Sequence, residues 1–467
     1  MVLYSSIEIS KIFKKKIKKE IKFDNVNIDS RLKLNNSLFI PIKGPKYDGH
    51  DYIVQAFKNG ARASLVNNDY FVKMSKDDNL IDFLIPVKNT LESLHLLAKY
   101  SRKRSKLRKM ICITGSSGKT TLKDWLYEII KKDFKTYSTK GNFNNQIGLP
   151  LTLSRMPKNT EVCILELGTN QPGEIEILTS LSSPDISVIT NIGDAHIGNF
   201  ENSKHIAFEK SKIYSALNNG LAILPFQKDF IKILKKEAEK NPNKILIFGN
   251  SSDCDAKIIK IESVQNKAKN HVKLDIMGKK IKFNWNYFGQ HWIRNILIIL
   301  MIVVELNLKF EQVIKHIRRL RPKIGRGSHH KAKIKGKQIF LIDDSYNANP
   351  NSMENSIENF LKIELKKQRK VCVLGEMLEL GDKTVFFHKK IAYLLNNSNI
   401  DFVITVGIRS KIIHDNLKDS INSKYFPDIK KLYNFLAENL IENDLILFKG
   451  SNSVKLGQIC EKLLKGS

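Results

Sequence analysis

A chain of 467 residues exceeds one ordinary hydrophobic core and implies roughly three domains of common size. With 42% hydrophobic and 27% charged residues it reads as globular, which excludes a disordered or low-complexity protein. Against 47 Asp and Glu stand 78 Lys and Arg, a net charge of +31 that attracts polyanions in general. The basic residues are dispersed, however, without a basic stripe or interleaved aromatics, so no specific nucleic-acid site is expected; an anionic small substrate would benefit from the same field.

Cys112, Cys163, Cys254, Cys372 and Cys460 are odd in number and lack C-x-x-C spacing, which points to neither a disulfide framework nor a zinc site. Cys112, Cys163 and Cys372 fall in apolar runs and read as small buried thiols. The N-terminus has no apolar segment ahead of its lysines, unlike a secretory signal. The longest apolar run, residues 296–304, is too short to cross a bilayer, so a buried helix and a cytoplasmic protein are expected.

In chain order, residues 38–42 read as a strand, 43–50 as a Gly/Pro/Asp loop, 52–59 as a helix and 63–66 as a further strand, together a small α/β unit. Lys43, Asp48 and His50, beside Gly44 and Gly49, either hold a polar ligand or only turn the chain. The basic run 101–109 reads as a solvated linker. Residues 110–130, MICITGSSGKTTLKDWLYEII, then combine an apolar strand, a turn bracketed by Gly115 and Gly118, and an amphipathic helix. Such a turn presents the helix N-terminus to a phosphate, with Lys119 as a cation and the Thr120 hydroxyl available to Mg²⁺. The motif is a shorter G-x-x-G-K-T form of the usual phosphate loop. No G-x-G-x-x-G follows a strand, so ATP is expected rather than NAD.

Residues 139–157, crowded with Asn and Gly, read as a loop. Glu166 ends the apolar run VCILE, and Asn191, Asp194 and His196 follow the run ISVIT. In parallel α/β sheets the carboxyl ends of strands line the ligand crevice, which gives Glu166 and His196 a place at a metal beside the phosphate loop. The helix at 205–217 places Lys210 and Lys212 away from its apolar side, as surface lysines. Strands at 221–224 and 244–248, a hairpin at 271–285 and an apolar helix containing Asn295 complete one α/β domain. Pro and Gly at 318–327 mark a boundary, beyond which QIFLIDD, VCVLGEM, FVITVG and LILFKG alternate with helices as a doubly wound sheet with Asp343, Asp344, Glu376 and Lys449 at strand ends. Two such domains could close on one nucleotide.

Taken together, GSSGKTT, GNFNNQIGLPLTL, LELGTNQPGEI, LIDDSYNANPNSM and LGEMLELG resemble the signatures of the Mur ligase family, in the same order and over nearly the whole chain. DDSYNANP is the most specific of them, and DSR (29–31), LFIPIKG and DGHDY resemble the family's uridine-nucleotide-binding domain. The likeness is greatest to the members that add D-alanyl-D-alanine to UDP-N-acetylmuramoyl-tripeptide. It implies an α/β fold of three domains: a UDP-substrate-binding domain at 1–107, a central P-loop-type parallel-sheet ATPase domain at 108–320, and a C-terminal Rossmann-like doubly wound domain at 321–467. The last would close over ATP and bind the incoming dipeptide.

The same resemblance implies ATP and Mg²⁺ as cofactors; a monomer is expected, though the residues do not disclose it. The resemblance assigns Gly115, Ser116, Ser117, Gly118, Lys119, Thr120, Thr121, Asn295, Arg326, Asp344, Tyr346 and Asn347 to the nucleotide. Thr120, Glu166, His196 and a carbamylated Lys210 would serve metal, with Lys119, Lys210 and His196 as catalytic residues. Ser30, Arg31, Lys43, Asp48, His50, Asn144, Asn145 and Asn349 would contact the other substrates. Trp292, Lys212 and Asn452 depart from the family pattern at the adenine, carbamate and closing KGS positions. A ligase of the same family with another amino-acid or glutamate substrate, and a nucleic-acid-stimulated ATPase, are the alternative readings.

Overall fold

The computed structural model describes residues 2–15, 17, 19–73, 79–263, 270–287, 289–363 and 368–465. Its strands fall into three domains, each built on its own sheet. In the first, Asn25–Asn27, Ser37–Phe39, Ala61–Asn67 and Leu84–Val87 form a four-stranded parallel sheet, and a short antiparallel pair, Tyr4–Ser5 with Lys22–Phe23, lies apart from it. The helix expected at 52–59 is a 3₁₀ turn, Gly49–Tyr52, running into Ile53–Lys58.

The basic run at 101–109 departs from the linker reading. Its first residues close the helix Thr90–Arg104, which starts where the Asn89 side chain accepts the Glu92 N–H and ends in Arg102, Lys103 and Arg104, cations that suit the negative end of the helix dipole. Arg104 is anything but solvated. Its guanidinium lies 3.8 Å from the Tyr4 ring centroid and donates to the Leu3 carbonyl at 2.6 Å. A planar cation can pack on an aromatic face while one nitrogen keeps its hydrogen bonds, here Nη1 to the Leu3 carbonyl and Glu8, which sequence charge alone does not reveal.

The middle domain carries a nine-stranded sheet in the order Lys279–Trp285, Asn270–Ile276, Ala256–Ser263, Lys244–Gly249, Leu221–Pro225, Ile186–Ile189, Lys109–Thr114, Val162–Glu166, Thr136–Ser138. From Ala256–Ser263 onward its pairs are parallel; the first two strands are added antiparallel. They turn through Met277 and Gly278, both at positive φ (50° and 86°), as a two-residue hairpin of this hand requires. One face of the sheet is covered by the helices Lys119–Ile130 and Gln290–Glu305, whose Leu122, Leu126, Ile296 and Leu300 are fully buried together.

The stretch 139–157, read as a loop, contains the wholly buried helix Gly148–Ser154. Asn145 starts it by accepting the N–H groups of Ile147 and Gly148, and Pro150 falls in the first turn, where a missing N–H costs nothing. Asn145 thus ties the start of an apolar helix too short to show periodicity.

The third domain is a six-stranded sheet in the order Ser328–Ile334, Lys337–Asp344, Leu445–Lys449, Lys370–Gly375, Phe402–Val406, Asn422–Phe426, parallel except for its first strand. The two edge strands were not anticipated. SHHKAKI and NSKYF are half-exposed and too polar to read as strands before their partners are known. No helix among the described residues is long and apolar enough to cross a membrane.

Replacing the fully buried Leu300 by Ala leaves a cavity against the phosphate-loop helix. We expect it to destabilise the middle domain by about 2–5 kcal/mol, read as a lowered denaturant midpoint.

Candidate functional site

Between Thr114 and the helix Lys119–Ile130, the turn holds Gly115 at φ 146° and Gly118 at φ 80°. A Cβ on Gly115 would come 1.9 Å from Thr190 Oγ1, so the loop seats itself against the segment that follows the neighbouring strand. That segment braces it on several sides. Thr190 Oγ1 donates to the Ser117 carbonyl (2.6 Å), Asn191 Oδ1 accepts the Ser117 N–H (2.9 Å), and the Ser116 hydroxyl donates to the Gly193 carbonyl (2.9 Å). The first-turn amides of the helix have no intrahelical acceptor and point at whatever anion occupies the turn.

Lys119 reaches back to the Gly115 carbonyl at 2.6 Å. Desolvation holds its ammonium below the ordinary lysine range; Glu166 opposes that shift and Arg326 adds to it. Beside it, the Thr120 hydroxyl donates to Glu166 Oε2 at 2.8 Å, while Asn144 Nδ2 donates to Oε1 at 2.9 Å. The Glu166 N–H is bound by Thr139 Oγ1, and the buried Lys123 ties the Thr139 carbonyl at 2.8 Å. Lys123 and Thr139 were missed from the sequence, since a lysine on a helix gives no sign that it turns inward.

No three His, Cys, Asp or Glu residues gather into a metal cage among the described residues. The donors present are a hydroxyl and a carboxylate in contact, which suits Mg²⁺, an ion that keeps several waters and takes other ligands from phosphates. His196 sits at the same cavity, in a left-handed conformation (φ 61°), with Nδ1 against the Glu379 carboxylate of the third domain. The His196 ring beside it holds Glu379 below the usual carboxylate range.

Lys210 reverses the surface reading. It is 2% exposed, on the helix Ser203–Ser211, and no hydrogen bond or ion pair to its Nζ is found among the described residues. Burial first, then the charge of Lys119, pushes it down to about 7, with Glu209 opposing. Glu209 itself is spent on the N–H groups of Gly173 and Ile175. Lys212 pairs with Glu237 instead and stays apart from this centre.

The third domain roofs the turn. Asn349 caps the helix Pro350–Leu361 and donates through Nδ2 to the Ser116 carbonyl at 3.3 Å, and Asn351 Oδ1 accepts the Asp194 N–H at 2.6 Å. Arg326 stacks 3.9 Å above the Tyr346 ring centroid, while Lys449 bridges the Asp344 carboxylate (3.0 Å) and the Asn347 carbonyl (2.7 Å). Between the domains lies a cavity of about 770 Å³, lined by Ser116 to Thr121, Asn144, Asn145, Glu166, His196, Asn295, Arg326, Asp344, Tyr346, Asn347 and Asn349. Asn295 approaches the Gly118 carbonyl at 3.4 Å. Trp285, Tyr287 and Trp292 supply an aromatic wall, in which Trp285 and Trp292 each pack 5.5 Å from the buried Trp125 ring. Gly115 and Lys210 are not among its lining residues.

The N-terminal candidates are elsewhere. Ser30 donates to Gln55 Oε1, Arg31 pairs with Asp29, and Lys43 bridges Asp48 backbone to backbone. His50 is buried, with Asp48 on Nδ1 at 2.6 Å and the Asn67 N–H on Nε2 at 3.0 Å, so both of its nitrogens serve the fold.

A phosphate loop in a largely parallel sheet, roofed by a second doubly wound domain, defines a nucleotide-binding α/β protein of the domain-closing kind. Three family models match in succession: the Mur ligase family catalytic domain at 22–102, the Mur ligase middle domain at 113–303 and the Mur ligase glutamate ligase domain at 329–452. The UDP-N-acetylmuramoyl-tripeptide--D-alanyl-D-alanine ligase of Rickettsia prowazekii is 32% identical over 95% of this chain and 96% of its own. That of Bacillus subtilis is 32% identical over 94% and 93%. Among solved structures, MurF from Acinetobacter baumannii superposes with a TM-score of 0.85 at 25% identity over 99% of both chains. MurF ligase from Thermotoga maritima, in complex with ADP, gives 0.81 at 26% identity over 95% and 97%. The chain belongs to the Mur ligase family.

Because a methyl group at position 115 must displace Thr190, Gly115→Ala should weaken nucleoside triphosphate binding at least tenfold, about 1.4 kcal/mol, in a titration calorimetry comparison. Unchanged affinity would show that the loop tolerates movement away from its brace.

Proposed function

We propose that this chain is an ATP-dependent ligase that joins D-alanyl-D-alanine to UDP-N-acetylmuramoyl-tripeptide, releasing ADP and phosphate and forming the UDP-linked pentapeptide precursor of peptidoglycan. The observation that carries this reading is the two-sided site, a phosphate loop roofed by the SYNANPNS loop, in a chain related along 95% of its length to a ligase of that name. The tripeptide's terminal carboxylate takes the γ-phosphoryl group to give an acyl phosphate. The dipeptide amine then attacks the acyl carbon, loses a proton, and phosphate leaves.

Both partners in the first step are anions, so catalysis is chiefly positioning and charge neutralisation. Lys119 and the amides of Gly115 to Thr121 hold the phosphates; Arg326, Asp344, Tyr346, Asn347 and Asn295 frame the nucleotide from the other side. Thr120 and Glu166 would hold Mg²⁺, and His196 and Lys210 would serve a further metal position; a metal bound there would supply positive charge that neutralises the reacting anions. Asn144, Asn145 and Asn349 are assigned to the acceptor carboxylate and the dipeptide, and Ser30, Arg31, Lys43 and Asp48 to the uridine side, with His50 supporting that side from within the fold. The reading divides the chain at 1–107, 108–320 and 321–467 and has it act in the cytoplasm as a monomer. Closure between the last two domains keeps water from the acyl phosphate.

Lys210 fits a carbamate. Its amine adds CO₂ to give an N-carboxylate and a proton, turning an unpaired buried cation into an anion able to meet a metal. Only the neutral amine reacts, so carbamylation should rise as pH increases through about 7, followed by ¹³C NMR of protein equilibrated with labelled bicarbonate. Lys210→Ala should be inactive and partly rescued by short carboxylic acids; full activity without rescue would return Lys210 to a packing role.

The decisive assay follows product mass and phosphate release with ATP, Mg²⁺, the UDP-tripeptide and D-alanyl-D-alanine, each omitted in turn. A UDP-pentapeptide only in the complete mixture is expected, and Lys119→Ala should lower turnover about 100-fold or more with the fold intact. Phosphate release without a new amide overturns the substrate assignment.

A further inference from the structure

Two loops from different domains meet in a contact that the residue roles above leave unexplained. His196 follows the strand Ile186–Ile189 of the middle domain, and Glu379 follows Lys370–Gly375 of the third. Both have left-handed backbones, φ 61° and 62°, although neither is glycine. Such conformations persist where the surroundings impose them and cluster where a side chain must be aimed. Here they aim the two side chains at each other across the domain boundary, His196 Nδ1 against the Glu379 carboxylate.

The backbones interlock beside that pair. The Gly198 N–H donates to the Glu379 carbonyl at 3.0 Å, and Lys383 Nζ donates to the Glu201 carbonyl at 3.1 Å. A Cβ on Gly198 would stand 2.6 Å from Gly381 N and 2.9 Å from the Glu379 carbonyl oxygen, so the approach depends on a missing side chain. The contact is therefore built into both loops.

We infer that Glu379 is a positioning residue for His196. When the third domain closes, its carboxylate accepts the Nδ1 proton, fixes the ring in that tautomer, and leaves the Nε2 lone pair to face the cavity. An imidazole that binds metal through one nitrogen is commonly oriented by a carboxylate on the other. In this chain that carboxylate belongs to another domain, so the ring becomes competent to bind metal only in the closed state. The arrangement withholds one element of charge neutralisation until the site is sealed and so suppresses hydrolysis of ATP in the open enzyme. The inference rests on the reading of His196 as a metal ligand.

The test loads the full chain with Mn²⁺ and ADP and records pulsed electron paramagnetic resonance for nitrogen modulation from a bound imidazole. Domain closure is followed in parallel by small-angle scattering. Wild type should show the modulation in a closed particle. Glu379→Ala should still bind nucleotide within about twofold and still close, yet lose at least half of the modulation amplitude and about tenfold in kcat with little change in the KM for ATP. Glu379→Gln, whose amide oxygen still accepts the Nδ1 proton, should retain most of both. Full modulation in a closed Glu379→Ala protein overturns the proposal. So does a Glu379→Ala protein that fails to close while Glu379→Gln closes, since the contact is then only a clasp. Absence of imidazole modulation in wild type removes the metal reading of His196, and the proposal with it.

Discussion

The strand Lys109–Thr114 runs between Val162–Glu166 and Ile186–Ile189, and because all three are parallel their carboxyl ends finish side by side. From that register the remaining site follows. The turn after the first strand becomes the anion cradle, the second strand ends in the carboxylate that meets Thr120, and the third leads into the segment that braces the cradle and continues to His196. Three short apolar segments far apart in the chain thus deliver their polar ends to one place, while their interiors anchor in a core shared with the phosphate-loop helix.

Charge around this centre is unbalanced. Lys119, Lys210 and Arg326 converge, while Glu166 is engaged by Thr120 and Asn144, and Asp344 by Lys449 and Ser356. Cations held close together and away from water are costly unless anions join them. Phosphates and a substrate carboxylate are such anions, so the ligands complete the electrostatics that the fold leaves open. The overall charge of +31 acts at longer range in the same sense.

The third domain contributes by contact rather than by charge alone. Asn349 on the Ser116 carbonyl, Asn351 on the Asp194 N–H and the loops joined at Gly198 and Gly381 are all short-range and directional. They form only at one relative placement of two sheets. Apolar contact accompanies them, since one buried cluster takes in Ile192, Ile197 and Phe200 of the middle domain and Ala348, Met353 and Leu380 of the third.

Much of this was legible before folding. Apolar runs ended by polar residues marked the parallel strands, the glycine-bracketed turn with Lys119 and Thr120 marked the cradle, and the alternation beyond residue 327 marked a second doubly wound sheet. Where the reading departed from the structure, the cause was a partner that residue type alone does not announce. Arg104 found the Tyr4 ring, Lys123 found the Thr139 carbonyl, the polar edge strands found neighbours to pair with, and Asn145 found the first amides of a buried helix. Lys210 is the sharpest case, since about half a turn of helix rotation separates a solvated lysine from a buried one, and only packing chooses between them. The sequence by itself determined the local elements and the chemistry at their ends, because backbone preference and apolar spacing act over a few residues. The tertiary structure alone decided which of those ends meet, which charges lose their water, and that His196 and Glu379 face each other, because burial and close approach are properties of segments brought together from opposite ends of the chain.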